Sequence, residues 1–174
     1  MRIIDNSVDR MKSAISTGGG LLRSNRFRIT LQRDGKGSDI EVLCDSVNLP
    51  GRQVATTEHF VGMKAYKKPY GYINDDITMT FVLTNDYSVW QYFNDWTNLV
   101  VTPDHEVNWK GSYTRDVKIT TLDVNGNDTK TIQLLHAFPV TMNSVELSSA
   151  NENDITQLTV MLAYDDWQNI NTSY

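Results

Sequence analysis

The sequence predicts a mainly β fold, a sandwich or barrel of about eight strands with one flanking α-helix. Apolar and polar residues alternate with a period of two in several short runs, most clearly Arg26–Leu31 and Asp76–Leu83. Turn chemistry punctuates those runs, as at Asp34-Gly35-Lys36-Gly37 and Asn125-Gly126-Asn127-Asp128. Only one internal stretch carries strong helical spacing: Val89, Trp90, Phe93, Trp96 and Leu99–Val100. Many short strands with a single helix in a chain of this size point to a sandwich or barrel covered at one end or edge.

Taken in order, residues 1–23 read as an N-terminal arm, partly helical or disordered. Ile3, Ile4, Val8, Met11 and Ile15 recur at roughly helical spacing until Gly18-Gly19-Gly20 breaks the pattern. Residues 24–170 read as one β domain. Arg26–Leu31 is a half-buried strand, and a second through Ile40, Val42 and Cys44 forms a hairpin with it across Asp34–Gly37. Leu49-Pro50-Gly51 ends that strand, and Gln53–Val61 is a polar, weakly patterned third. Residues 62–75 hold three lysines and three tyrosines among Gly and Pro, and read as a long excursion too aromatic for an idle loop. Ile77, Met79, Phe81 and Leu83 face a core. The helix follows, capped by Asn85 or Asp86 and stopped by Pro103, with Trp90 and Trp96 assigned to the core. Val117–Leu122 and Thr131–Leu134 flank the Asn125–Asp128 turn, and strands at Val140–Leu147 and Ile155–Tyr164 complete the chain.

Composition narrows the function. With 174 residues the chain can bury one sizeable core and is short for two domains; 40% apolar content argues for a folded chain. No apolar run approaches the ~20 residues that span a bilayer, so no membrane anchor is expected. The charged N-terminus lacks a secretory core, and synthesis in the cytoplasm follows. Cys44 is the single cysteine and reads as a buried structural thiol. A net charge of −5 disfavours sequence-specific reading of nucleic acid, which needs a basic footprint.

Catalytic constellations are not found. His59, His105 and His136 lie far apart, and His105-Glu106 has no third ligand at metal spacing. Gly18–Gly20 precedes no Lys-Ser/Thr pair, and no G-x-S-x-G elbow occurs. The acidic pairs Asp75-Asp76, Asp165-Asp166 and Glu152 with Asp154 sit at strand ends, where water alone explains them. The reading is a protein that is not an enzyme, with no cofactor and no metal.

Several segments, in order, resemble the tail tube proteins of contractile-tailed bacteriophages. Asn25-Arg26-Phe27-Arg28-Ile29 is similar to the family's opening strand, and Cys44 to Pro50 to its strand ending in C-x-x-x-x-L-P. Phe93-Asn94-Asp95-Trp96 resembles an F-x-D-W in the family helix. His136–Val140 stands where the family has an L-W-P element, and Ile155–Trp167 echoes its terminal strand.

That resemblance implies a structural virion protein of the tail, assembled in the host cytoplasm. Six copies would build an inner β-barrel jointly, rings would stack into a tube, and a sheath would surround it. Baseplate initiator and tail terminator proteins are the implied end partners, and DNA would pass through without specific binding. On this reading Lys64, Tyr66, Lys67, Lys68, Tyr70 and Tyr72 are candidates for ring-to-ring contact. Thr56, Glu58, Ser144 and Glu146 are candidates for the lumen, and Gln91, Asn94 and Asp95 for the sheath. Three alternatives stay open: a baseplate or tube-initiating protein, a type VI secretion-like tube protein, and a β-sandwich carbohydrate-binding module.

Overall fold

A computed structural model describes residues 7–18, 20–31, 38–145, 147 and 155–170. The described elements run α1 (Ser7–Thr17), β1 (Phe27–Leu31), α2 (Ser38–Val42), β2 (Cys44–Val47), β3 (Arg52–Val61), β4 (Lys64–Asn74) and β5 (Ile77–Val82). They continue with α3 (Ser88–Val100), α4 (Lys110–Tyr113), β6 (Arg115–Leu122), β7 (Asp128–Met142), β8 (Gln157–Ala163) and β9 (Asp166–Ile170). The main sheet has seven strands in the order β1-β6-β7-β8-β5-β2, with β9 also on β7; β3 and β4 form a separate two-stranded sheet. Every named pairing is antiparallel.

Alternation builds the core. Ile29 and Leu31, Ile77, Met79 and Phe81, Val117 and Ile119, and Leu158, Val160 and Leu162 turn inward as every second residue of their strands. Helix α3 closes the core with Val89, Tyr92, Phe93 and Trp96, packed against β7. Phe93 meets Phe81 at 5.0 Å between ring centroids and lies nearly parallel to Trp96 at 6.2 Å. Each such fully buried ring contributes on the order of 2–3 kcal/mol of transfer free energy.

Strand β7 ties the two halves of the sheet together. Its residues up to Ala137 pair with β6, and Phe138 to Met142 pair with β8. The change of partner comes just after His136, whose backbone takes a left-handed φ of 54°. Leu135 and His136 there oppose the single residue Asp116, a β-bulge. The Asp116 carboxylate accepts hydrogen bonds from Gln133 Nε2 at 2.7 Å and from the His136 N–H at 3.3 Å.

Several expectations are corrected. The predicted hairpin between Arg26–Leu31 and Ile40–Cys44 does not form; its turn, Asp34–Gly37, lies outside the described residues. β1 pairs with β6, and Ser38–Val42 is a short helix. The alternation misleads because Ile40 is buried while Val42 is in water. The Leu31 N–H is also taken by the Glu41 carboxylate, at 2.7 Å. The 62–75 excursion is a strand, β4. Its apparent breakers are absorbed by a two-residue turn, with Gly62 at φ 65°, and by a bulge. Val140–Leu147 is no separate strand, since β7 runs unbroken to Met142, and β9 was unforeseen. At the start of α3 the N-cap position belongs to Tyr87, not to Asn85 or Asp86. The Asp86 carboxylate still accepts the Ser88 N–H, at 3.4 Å.

Candidate assembly surface

The β3–β4 ribbon continues the β2–β5 ladder beyond the body. Val47 faces Met79 and Arg52 faces Asn74, so the two pairs lie five positions apart on each strand and the register is unchanged across the break. Past that point almost nothing in the ribbon is buried. On β3 only Ala55 is, and on β4 no residue is. Phe60, Val61, Tyr66, Tyr70 and Tyr72 all lie in water, and Met63 at the tip is completely exposed. A two-stranded ribbon with both faces wet is marginal by itself, and apolar residues held there mark a surface made to be covered.

Cross-strand pairing divides the candidate residues into two faces. Glu58 stands opposite Lys67 and Val54 opposite Tyr72, which places Thr56, Glu58, Lys67 and Tyr72 together. Thr57 opposes Lys68, His59 opposes Tyr66 and Val61 opposes Lys64, so these occupy the other face. The three lysines therefore do not share a surface, contrary to their grouping by sequence. Ala55 faces Gly71 and Thr56 faces Pro69, leaving Tyr70 as the extra residue of a bulge. Ser144 is exposed beyond the end of β7, and Glu146 lies outside the described residues. Gln91 and Asp95 are hydrogen-bonded to each other on α3, at 2.7 Å.

At the root of the ribbon the ladder forks. Ile77 of β5 faces Leu162 of β8, and β8 leads through a turn into β9, which stays on β7. Three residues along each strand, Asn74 and Asp165 stand at the same level but are no longer a backbone pair. The Asn74 amide instead donates to the Asp165 carbonyl at 3.0 Å. The Arg52 guanidinium fills the fork. It lies 4.7 Å from the centroid of Trp167, 5.0 Å from that of Tyr72, and 2.8 Å from Asp166 Oδ1. Asp165 is bound on its other side by Lys110 Nζ at 2.6 Å, with His136 Nδ1 3.1 Å away. The Lys110 hydrogen bond above all, with the charges of Lys110 and His136, holds its carboxyl below the ordinary carboxylate range despite partial desolvation. In the sequence, Asp165-Asp166 reads as a strand-end acidic pair within the family-like terminal segment, and nothing there singles out Arg52. No local signal links residues 114 positions apart.

A second surface is the outer face of the layer formed by β2, β5, β8 and the last residues of β7. Its outward positions on β5 and β8 are Thr78, Thr80, Val82, Gln157, Thr159, Met161 and Ala163, none of them ionisable. Asp45 lies at its margin, accepting from Gln157 Nε2 at 3.2 Å. Cys44 in this layer donates to the Ser46 and Thr80 carbonyls at 3.3 and 3.6 Å. Burial pushes its thiol up to about 12, which makes it a poor nucleophile.

A β-rich body carrying an uncovered ribbon is the architecture of an assembly subunit. The chain belongs to the phage tail tube protein family, whose pattern it matches over residues 17–170. It is 27% identical over 173 residues to the tail tube protein of Serratia phage KSP90, covering 91% of this chain and 94% of that one. Among solved structures, a chain of the sheath–tube complex of the PVC extracellular contractile injection system superposes with a TM-score of 0.66 at 19% identity. The match covers 86% of this chain and 91% of that one. A chain of the tube-terminating cap of the anti-feeding prophage gives 0.68 at 18% identity, covering 86% and 91%. A chain of that particle's baseplate gives 0.64 at 15% identity, covering 86% and 95%. At these identities the likeness to the solved structures is one of fold.

Proposed function

We propose that this chain is a non-enzymatic subunit of a contractile tail tube, six copies closing each ring and rings stacking around a channel. The observation that carries the reading is the ribbon: ten residues of β3 and eleven of β4 leave the body with both faces uncovered. The four-strand layer supports ring closure. Among the described residues it has two different open edges, β2 on one side and the last residues of β7 on the other. Joining one to the other head-to-tail in successive copies leaves neither of these two edges unpaired once the ring closes. Its uncharged threonine-rich face then lines the lumen with Thr56, Glu58 and Ser144 as further candidates. The β5 and β8 part of that wall offers phosphate no cationic partner, so DNA passes it without being held.

Ring-to-ring contact falls to the ribbon, with Lys64, Tyr66 and Lys68 on one face and Lys67 and Tyr72 on the other, and Tyr70 at the bulge. The sheath takes the outside, an initiator and a terminator the ends, and assembly occurs in the host cytoplasm. That the same fold appears in a baseplate structure favours a tube initiator as the second reading.

Negative-stain electron microscopy of concentrated protein, beside size-exclusion chromatography, tests this. Hollow rings or tubes with six-fold end views are expected. A protein that stays monomeric at every concentration, even with a baseplate seed, overturns the reading and promotes a binding module, to be probed on a glycan panel.

A further inference from the structure

We propose that Arg52 is the positioning residue that sets the direction in which the β3–β4 ribbon leaves the body, and thereby the geometry in which a second copy of this chain meets it. The inference rests on the tube reading for its consequence, but its structural half stands alone.

The fork would otherwise be loose. Beyond Ile77 and Leu162 no backbone pairing among the described residues joins the ribbon to the main sheet, because β9 follows β7 while β4 departs. An isolated ribbon on two strand crossings, Leu49-Pro50-Gly51 and Asp75-Asp76, can swing. Arg52 bridges the opening with three kinds of contact. Its guanidinium lies near an aromatic ring from each side of the fork, Tyr72 on the ribbon and Trp167 on β9. It pairs with Asp166 and donates to the Trp167 carbonyl at 3.5 Å. A planar cation placed by two rings and a carboxylate has few orientations open to it, and lysine cannot reproduce them. The neighbouring Asn74–Asp165 hydrogen bond fastens the same corner, and Lys110 in turn steadies Asp165. The body side of the clamp is thus fixed on β7 through β9, and the ribbon side is Arg52 and Tyr72 themselves.

Rings require every subunit to present its contact surface at one angle. A ribbon of ten residues extends about 30 Å, so a change of 10° at the fork moves its tip by roughly 5 Å, enough to break side-chain register. Arg52 contributes to assembly by removing that freedom before the partner arrives.

The test uses the full chain with Cys44→Ala and spin labels at Met63→Cys on the tip and Asn125→Cys on the body, compared with and without Arg52→Ala or Arg52→Lys. Pulsed electron spin resonance on the dilute protein should give one narrow distance with Arg52. Arg52→Ala should at least double its width, and Arg52→Lys should fall between. Circular dichroism should show an unchanged fold, and the unlabelled variant should need at least tenfold more protein to form rings. An unchanged distance distribution in Arg52→Ala overturns the proposal, as does a broadened one with unaltered ring formation. A clamp that behaves as expected in a protein that never forms rings would instead sink the tube reading and the assembly half of this inference, while the positional half would stand.

Discussion

The indole Nε1 of Trp96 donates a buried 2.7 Å hydrogen bond to the carbonyl of Tyr113. That bond fastens α3 to α4, and Trp96 itself is fully buried against Tyr92 and Phe93. Trp96→Phe removes the donor, strands a carbonyl and leaves a void. Urea unfolding should show a loss of about 2–3 kcal/mol with the slope unchanged.

Asp165 predicts a pH dependence. Its folded carboxyl titrates below the ordinary value of 3.8, chiefly through the Lys110 hydrogen bond. The contribution is therefore present above the unfolded value and is lost as pH falls through the folded one. Both side chains are about half exposed, so the effect is small and screened by salt. Asp165→Asn should be less stable than the parent at pH 7, and the difference should vanish as pH falls through the lowered carboxyl value, read from unfolding midpoints.

The two-faced ribbon makes a prediction about charge. Lys67 stands opposite Glu58, while Lys64 and Lys68 share the other face with no acidic residue among their direct partners. Lys64→Glu with Lys68→Glu should raise the protein concentration needed for stacking by roughly tenfold or more, and Lys67→Glu by much less. Sedimentation of assembled against free protein measures both, and equal effects would refute the division of faces.

The uncharged outer face predicts an effect on cargo. Thr80 is half-buried and stands directly opposite Thr159 on that surface. Thr80→Lys should leave ring formation intact while, in the proposed six-copy ring, placing six cations around the lumen. Assembled tubes should then retain DNA in a salt-dependent way, by filter binding at 50 and 200 mM salt, where the parent retains none.

How much of this was legible beforehand follows from where each signal resides. The core of β5, α3, β6 and β8 could be read because Met79, Phe81, Val89, Phe93, Val117 and Leu158 carry their period in consecutive residues. The β6–β7 turn declared itself at Asn125-Gly126, with Gly126 at φ 83°. The pairing of β1 could not be read, because its partner Val117–Thr121 lies some ninety residues away and a nearer partner looked equally suitable. β4 was hidden for a different reason: a strand with no core to face loses its alternation, and Lys64–Asn74 has none. Of the candidate surface, the aromatic and basic content of the ribbon was visible. Its two faces and its root were not, since they depend on Tyr70 being an extra residue and on Arg52 meeting Asp166.

The bulge at Tyr70 bears on the life of the subunit before any tube exists. Before assembly, a free chain holds out a long ribbon whose two rims carry backbone donors and acceptors. Pro69 deletes a donor on one rim, Tyr70 breaks its spacing, and three lysines repel a second copy approaching in parallel stacks. β3, from Arg52 to Val61, has no proline and no extra residue. Edge-to-edge growth into a fibre, which needs both rims to propagate, is thereby disfavoured on one of them.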